Sequence, residues 1–157
     1  LIQQPKREGC IFCVFPTEYR DAENLILGRT ARSFVILNRF PYNNGHLMVI
    51  PRRHLGDFGQ LQPDELLDLT QTLQVAVRVI QEVYKPGGLN VGLNLGTCAG
   101  AGIAEHLHYH VVPRWAGDTN FMPVLGQVRV MIEHLQTCYD KLKPAFDRAL
   151  PPLAASR

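Results

Sequence analysis

Apolar residues recur along this chain in two patterns, and short β-prone runs form the first. Two of the runs are joined by Gly28–Arg32, which suits a hairpin connection, and a third follows the turn-rich Pro41–Gly45 and ends at Pro51. Branched and aromatic residues favour strands, while Gly, Pro and Asn mark their ends. We predict strands at Leu25–Leu27, Ser33–Leu37, His46–Ile50, Leu89–Leu95 and Leu107–Val112.

The second pattern is a spacing of three and four between apolar residues, which is typical of amphipathic helices. It begins after Pro63, has Asp64 and Glu65 in its first turn to complement the helix dipole, and closes at Lys85–Gly88. A second helical stretch lies near the end of the chain, and we expect Pro144 to interrupt it. The apolar positions are Leu66, Leu69, Leu73, Ala76, Val77, Ile80, Val83 and Tyr84, then Val128, Met131, Ile132, Leu135, Cys138, Tyr139 and Leu142. Strands, one long helix, further strands and a C-terminal helix predict an α+β domain with an antiparallel sheet.

Composition narrows the class of protein. The 157 residues are 46% hydrophobic and 19% charged, which predicts one compact domain over residues 1–157. A net charge of +2 is too small for the basic surface that binds nucleic acid without regard to sequence. Apolar runs end long before the roughly 20 residues that cross a bilayer, so we expect no membrane partner. Because Leu1–Glu8 lacks the apolar core of a secretory signal, we expect a cytoplasmic protein.

Two of the four cysteines stand as a Cys-x-x-Cys pair, Cys10 and Cys13. In a cytoplasmic chain such a pair indicates metal binding or redox chemistry. A redox pair opens a helix after a strand, and no strand pattern precedes this one, so zinc is the favoured interpretation. Two reduced, buried cysteines remain the alternative. Cys98 and Cys138 have no partners at ligand spacing.

The segment Glu105–Trp115 contains three histidines, His106, His108 and His110, at a strict period of two. Side chains on a strand alternate between its faces, so the three imidazoles are expected on one face and an apolar row on the other. Two kinds of chemistry would use such a row of histidines. Either all three bind a catalytic metal, or one of them is a nucleophile and the others position it and the group it attacks.

This segment resembles the signature of the histidine triad (HIT) nucleotide hydrolases and transferases. Further motifs occur in family order, namely Cys10–Cys13, Leu37–Arg39 with Pro41, Gly45–His46, Ile50–His54, and Asn94 with Gly96. Ala104–His106 and Trp115–Phe121 are similar to the bacterial branch related to diadenosine tetraphosphate phosphorylases and hydrolases. The resemblance covers about residues 8–115 as a core, with 116–157 as a C-terminal extension. It implies a HIT-like fold, and a homodimer in which the two sheets join.

The resemblance also implies roles for individual residues. His108 would attack the α-phosphorus, His110 would lie beside the leaving group, and His46 matches the family's fourth active-site histidine. Asn38 would bind the ribose hydroxyls, since an amide both donates and accepts hydrogen bonds.

Phosphate contacts are implied for a second set of residues. Asn94 fits the family's phosphate-binding asparagine, and the loop that ends at Gly102 offers backbone N–H groups to an anion. The sequence departs from the family pattern here, because Gly102 and Ile103 replace the Gln and the Ser or Thr of many members. The preferred length of the polyphosphate is expected to differ accordingly.

Zinc-containing family members join the two cysteines to two histidines. In this chain those four ligands would be Cys10, Cys13, His54 and His106. Two thiolates and two imidazoles close a tetrahedral site, so the zinc would be structural. Magnesium would arrive only with the phosphates of the substrate.

The expected activity is cleavage at the α-phosphate of an adenosine dinucleotide polyphosphate, through a covalent nucleotidyl-histidine that water or inorganic phosphate releases. One alternative is a nucleoside phosphoramidase with the same residues. Another is a non-catalytic nucleotide-binding module stabilised by zinc, which has no need of His108 as a nucleophile.

Overall fold

One sheet forms the centre of the molecule in the computed structural model, which describes residues 9–118 and 134–150. Its strands are β1 (Ile26–Arg29), β2 (Ser33–Leu37), β3 (Leu47–Pro51), β4 (Gly88–Leu93) and β5 (Tyr109–Arg114). Every neighbouring pair is antiparallel, in the order β1-β2-β3-β5-β4. The predicted α+β fold with a five-stranded antiparallel sheet is confirmed.

The helices are α1 (Ile11–Glu18), α2 (Asp21–Asn24), α3 (Pro63–Tyr84) and α4 (Leu135–Ala149). Short 3₁₀ turns lie at Phe58–Gln60 and Thr97–Ala99. The long helix α3 ends where its sequence predicts, at Lys85 in the left-handed conformation. Sequence periodicity did not reveal α1, because this short helix of mainly apolar residues contains Pro16 and has no polar face to mark a helical period.

Helix α4 corrects one expectation. Pro144 does not interrupt it, because the helix runs unbroken from Leu135 to Ala149. Proline removes one backbone hydrogen bond, but residues on both sides of it, Leu142 and Phe146, are fully buried where α4 packs on β1 and α3. Burying two such side chains contributes about 3–6 kcal/mol, enough to offset the proline. The predicted helical positions Val128, Met131 and Ile132 lie outside the described residues.

Strand β5 begins later than predicted. It starts at Tyr109, which pairs with Val49 of β3, rather than at Leu107. The backbone before it is held elsewhere, since the Leu107 amide donates to the Leu55 carbonyl at 2.8 Å. Of the three histidines, only His110 therefore lies within the strand, and simple alternation does not place His106.

A single apolar core holds the sheet and the long helix together. Helix α3 packs against β2, β3 and β5, and its buried side chains include Leu69, Ala76 and Ile80. Burial of each large apolar side chain contributes about 1.5–3 kcal/mol, so β3 and β5 form a rigid support for the loops at their ends. Within the described ranges, none of the helices has both the length and the apolar character needed to cross a membrane.

Candidate functional site

Four buried or nearly buried side chains converge on one point between the N-terminal segment and the sheet. They belong to Cys10, Cys13, His54 and His106, and their ligand atoms all lie within 4.8 Å of one another. The Nδ1 atom of His106 is 3.4 Å from the Sγ of Cys10 and 3.5 Å from that of Cys13. The Nδ1 atom of His54 is 3.2 Å from the Cys13 Sγ. This cluster offers two sulfur and two nitrogen ligands to a metal ion.

Helix α1 brings the two thiols together. Cys10 immediately precedes the helix, and the Cys13 amide donates to the Cys10 carbonyl at 3.0 Å in the first turn. Residues three apart lie on the same side of a helix, so both sulfurs face the histidines. The Cys-x-x-Cys pair thus opens a helix, as a redox pair would, but no strand among the described residues precedes it, so the structure supplies only half of the redox pattern.

The segment that carries His54 is fixed from two directions. The guanidinium of Arg53 holds the Glu65 carboxylate of α3 through two hydrogen bonds of 2.9 Å, and this ion pair keeps the pKa of Glu65 below its usual value. On the other side, a side chain at Gly56 would come within 2.5 Å of the Ala104 carbonyl. Only glycine permits this approach, which brings His54 beside His106.

A backbone carbonyl decides which nitrogen His106 presents to the thiols. Its Nε2–H donates to the Pro51 carbonyl at 2.7 Å, at the end of β3, so Nδ1 carries the lone pair. Burial lowers the pKa of His106 to about 4, against the opposing effect of this hydrogen bond. The ring is therefore neutral at pH 7, as a metal ligand must be.

His108 is likewise oriented by the backbone. Its Nδ1–H donates to the carbonyl of His106 at 2.9 Å, which leaves a lone pair on Nε2. The ring is 5.0 Å from the ring of His110, centroid to centroid, in an edge-to-face arrangement. His108 therefore presents an unprotonated nitrogen beside a second imidazole.

A chain of three hydrogen-bonding groups orients His110. The Tyr42 amide donates to Nδ1 of His46 at 3.1 Å, so the His46 proton lies on Nε2. That Nε2–H donates to Nδ1 of His110 at 2.9 Å, which in turn places the His110 proton on its own Nε2. His110 thus carries an N–H donor on the nitrogen opposite His46.

Burial and neighbouring rings keep these histidines neutral. Burial, and then the proximity of His110, lower the pKa of His46 to about 4. The pKa of His110 is also below its usual value, because of burial and then of His108. Charging either ring would bring positive groups together in a poorly solvated site. The tautomers of His46 and His110 therefore persist at neutral pH.

One aromatic residue connects the cluster of two cysteines and two histidines with the pair His108 and His110. The ring of Phe12, which lies between the two cysteines in sequence, is 5.6 Å from the ring of His106 and 5.2 Å from that of His108. Phe12 is 2% exposed, so it cannot move without disturbing both rings. A change in the packing around the cluster would therefore also displace the ring of His108.

Of the residues expected to bind substrate, one lies beside the histidines and the others do not contact them. Asn38 is in the site, with its Nδ2 3.4 Å from Nε2 of His46 and its Oδ1 accepting from the Phe40 amide. Asn94 is exposed just after β4, near Gly100, and Gly102 lines a cavity of about 400 Å³ together with Cys10. Within residues 9–118 and 134–150, no hydrogen bond links Asn94 or Gly102 to the histidines.

Three contributors to the site escaped the sequence analysis. They are the Tyr42 amide, the Phe12 ring and the Pro51 carbonyl. Two of them are backbone groups, which every residue type possesses, so no sequence signal marks them. For Phe12, its position inside the Cys-x-x-Cys pair was a usable signal, since any residue there lies beside the metal ligands.

The comparisons agree with this geometry. The profile of the HIT domain matches residues 20–117, and the chain belongs to that family. It is similar to a zinc-bound histidine triad family protein of Mycobacterium smegmatis, at 25% identity and a TM-score of 0.70, over 89% of this chain and 94% of that one.

Two relatives carry the name of an activity. The AP-4-A phosphorylase of Mycobacterium tuberculosis is 47% identical over 74% of this chain and 60% of its own length. The asymmetrical bis(5'-nucleosyl)-tetraphosphatase of Schizosaccharomyces pombe is 34% identical over 57% of this chain and 49% of its own length. The chain thus spans about three fifths of the length of the mycobacterial relative.

Proposed function

We propose that this protein cleaves dinucleoside polyphosphates, such as diadenosine tetraphosphate, at the α-phosphate by nucleotidyl transfer to His108. Membership of the HIT family supports the proposal, as do the names of the M. tuberculosis and S. pombe relatives. The observation that carries it is the tautomer of His108, whose Nδ1–H bond to the His106 carbonyl leaves Nε2 as a nucleophile.

The reaction proceeds in two displacements. Nε2 of His108 attacks the α-phosphorus, a P–N bond forms, and the bond from phosphorus to the bridging oxygen of the leaving nucleotide breaks. The Nε2–H of His110 donates a hydrogen bond to that oxygen and stabilises the negative charge with which the nucleotide leaves, and the pair His110–His46 keeps this donor aimed at it. Water or inorganic phosphate then attacks the phosphorus, the P–N bond breaks, the proton of the attacking group passes to solvent, and His108 is released with AMP or ADP as product.

We assign substrate contacts to Asn38, Asn94 and Gly102. Asn38 offers its amide to the ribose hydroxyls, a role supported by its position beside His46. Asn94 and the backbone of the loop that ends at Gly102 contact phosphate oxygens. Gly102 has open space where a side chain would stand, so its N–H is accessible to an anion.

We propose structural zinc for the four-residue cluster. Zn–S bonds of about 2.3 Å and Zn–N bonds of about 2.0 Å at tetrahedral angles separate neighbouring ligand atoms by about 3.3–3.8 Å. The sulfur–nitrogen distances of 3.2, 3.4 and 3.5 Å fit this spacing. When bound, zinc would cross-link α1 to the sheet without taking part in the displacement. Magnesium, which prefers oxygen ligands, would accompany the substrate's phosphates.

We also propose a homodimer joined through β4. This strand is at the edge of the sheet, and most of its residues are exposed, including Val91 at 45%. An unprotected edge strand offers backbone groups for pairing with a second copy. The dimer would extend the sheet across two chains.

The decisive assay is product analysis after incubation with diadenosine tetraphosphate, with and without inorganic phosphate. ADP and ATP formed only with phosphate would identify a phosphorylase, and AMP with ATP would identify a hydrolase. Either result supports nucleotidyl transfer. Nucleotide binding without products would contradict it and favour a non-catalytic nucleotide-binding module.

One observation favours a second candidate reaction. The Nε2–H donor of His110 also suits the nitrogen of a leaving amine, which it would hold by a hydrogen bond while the amine gains its proton from solvent. A nucleoside phosphoramidase would therefore use the same residues. Comparing kcat/KM for adenosine phosphoramidates with that for diadenosine tetraphosphate ranks the two activities.

A further inference from the structure

A cluster of polar side chains next to the site has no part in the reaction described above. Its centre is Asp118, whose carboxylate is 11% exposed. Arg114 donates to both carboxylate oxygens at 2.7 and 2.8 Å, and the Trp115 amide donates to one of them at 3.1 Å. A third group, Nδ2 of Asn43, donates to the same carboxylate at 2.7 Å. Asp118 thus joins the end of β5 to a residue 75 positions earlier in the chain.

Asn43 is held at both of its amide hydrogens. Besides Asp118, its Nδ2 bonds the carbonyl of Pro113 in β5 at 3.0 Å. An amide has two N–H groups, and both are therefore committed to β5 and the residues that follow it. Arg114 extends the attachment, since it also donates to Asn90 of β4 at 2.7 Å.

The loop tethered in this way contains the first donor of the histidine chain. Tyr42 directly precedes Asn43, and its amide is the group that donates to Nδ1 of His46. The Asn43 carbonyl also accepts from the His46 amide at 3.1 Å. The loop packs tightly at Gly45, where φ is +80° and a side chain would come within 3.1 Å of the Tyr84 ring. A shift of Asn43 therefore displaces the Tyr42 amide relative to the His46 ring.

We propose that Asn43 and Asp118 are positioning residues for the hydrogen bond that His110 donates to the leaving group. Their hydrogen bond holds the Tyr42 amide on Nδ1 of His46. That contact confines the His46 proton to Nε2, and the His46 bond then confines the His110 proton to the nitrogen that faces away from His46. Without the tether, His46 would distribute between its two tautomers, and His110 would lose its fixed donor. The catalytic part of this inference rests on the proposed nucleotidyl transfer, whereas the tautomer part does not.

The first test observes the tautomers directly and needs no substrate. Long-range ¹H–¹⁵N correlation spectra of ¹⁵N-histidine-labelled protein at pH 7.5 report which ring nitrogen carries the proton. We expect His46 to be purely Nε2-protonated in the wild type and to become a mixture in Asn43→Ala and in Asp118→Ala. Asp21→Asn is the matched control, because it weakens another partly buried Asp–Arg pair, with Arg29, outside the histidine site. Retention of a single Nε2–H tautomer in both variants would overturn the proposal.

The second test compares two leaving groups that differ in their need for a proton. An AMP ester of 4-nitrophenol releases a stable anion that needs no proton, whereas an AMP alkylphosphoramidate releases an amine that does. We expect Asn43→Ala to lower kcat for the phosphoramidate about 10- to 100-fold, to leave kcat for the nitrophenyl ester within about twofold, and to change neither KM by more than about twofold. Equal losses on both substrates would mean a general structural role and would overturn the proposal.

A double variant distinguishes one shared effect from two separate ones. Because Asp118 acts on the loop through Asn43, Asn43→Ala combined with Asp118→Ala should be no slower on the phosphoramidate than Asn43→Ala alone. Additive losses would contradict the tether. A wild-type protein that turns over neither ester nor phosphoramidate would refute the proposed reaction, and the spectra would still decide the tautomer part.

Discussion

At the scale of single residues, backbone groups determine the chemistry of the imidazoles. His106 donates to the Pro51 carbonyl, His108 donates to the His106 carbonyl, and His46 accepts from the Tyr42 amide. Each bond occupies one ring nitrogen and so fixes the state of the other. As a result, His106 faces the thiols, His108 presents a lone pair on Nε2, and His46 donates its Nε2–H to His110.

Replacement of His108 by asparagine tests the proposed nucleophile. Asparagine keeps a polar side chain of similar reach but has no nitrogen that attacks phosphorus, so kcat on diadenosine tetraphosphate should fall by at least about 10³-fold. Nucleotide binding, measured by calorimetry, should be nearly unchanged. If the variant kept as much as a tenth of the wild-type turnover, the covalent route through His108 would be wrong.

The low pKa of His46 makes stability depend on pH. Its pKa is about 4 in the folded protein and about 6.5 in the unfolded chain. Between these values only the unfolded state binds the proton, so stability is greatest above pH 6.5, falls as pH decreases towards 4, and loses nothing more from this group below that. The full loss is about 3 kcal/mol. Urea unfolding of wild type and His46→Gln from pH 4 to 7.5 measures it, and the two stability curves should converge on acidification. Parallel curves would contradict the assignment.

At the scale of elements, α1 links the four-residue cluster to the proposed nucleophile. The helix supplies Cys13, follows Cys10 directly, and contains Phe12, whose ring contacts both His106 and His108. This short helix has few residues to stabilise it by itself, and isolated helices of its length are marginal in water. Its position therefore depends on tertiary contacts, among them the four-residue cluster.

Removing both thiols tests this dependence. Cys10→Ser with Cys13→Ser should reduce zinc from about one ion per chain to almost none, because hydroxyls are poor zinc ligands. The melting temperature should fall by about 10 °C, since binding energy of the metal is also folding energy. Elemental analysis and calorimetry measure the two effects.

The exposed Cys98, which lies outside the cluster, supplies the matched control for the thiol variant. Cys98→Ser should change neither zinc content nor melting temperature. The double variant should retain turnover at low temperature, because His108 and His110 remain. Metal-free protein as stable as the zinc-loaded form would refute the zinc assignment without affecting the role of His108.

At the scale of the whole molecule, the sheet has two unlike edges. Strand β1 packs against α4, and Tyr139 of that helix donates to the Ile26 carbonyl at 3.0 Å. At the opposite edge, β4 pairs with β5, and in the part of the chain that the structure describes no strand pairs with its other side. The apolar residues Val91 and Leu95 are 45% and 50% exposed in or just after this strand. The proposed dimer would bury them.

Light scattering of the purified protein tests this arrangement. We expect the wild type to have twice the mass of the chain and Val91→Lys to dissociate towards monomer, since lysine on an edge strand opposes pairing with a second copy. Leu67→Lys is the control, because Leu67 is 60% exposed on α3 rather than on the sheet edge. A monomeric wild type would contradict the proposal, as would equal dissociation of both variants.

The sequence alone determined the elements whose signal is local. A repeat of three and four located α3, and short β-prone runs located all five strands to within about two residues, because a residue's neighbours along the chain set these preferences. The motif around His108 indicated the family for the same reason. Local signals failed at Pro144, where burial of Leu142 and Phe146 outweighed the cost of a proline, and at Leu107, whose amide bonds Leu55 rather than a strand.

Only the tertiary structure decided which nitrogen His106 and His110 present. The Pro51 carbonyl is 55 residues from His106, and His46 is 64 residues from His110, so no local pattern records either contact. The sequence supplied imidazoles and thiols at suggestive spacings, and the family resemblance supplied an expected grouping. A proton's location on an imidazole depends on the donor or acceptor that meets the ring, and for His106 and His110 folding brings the ring to a partner that is distant in the sequence.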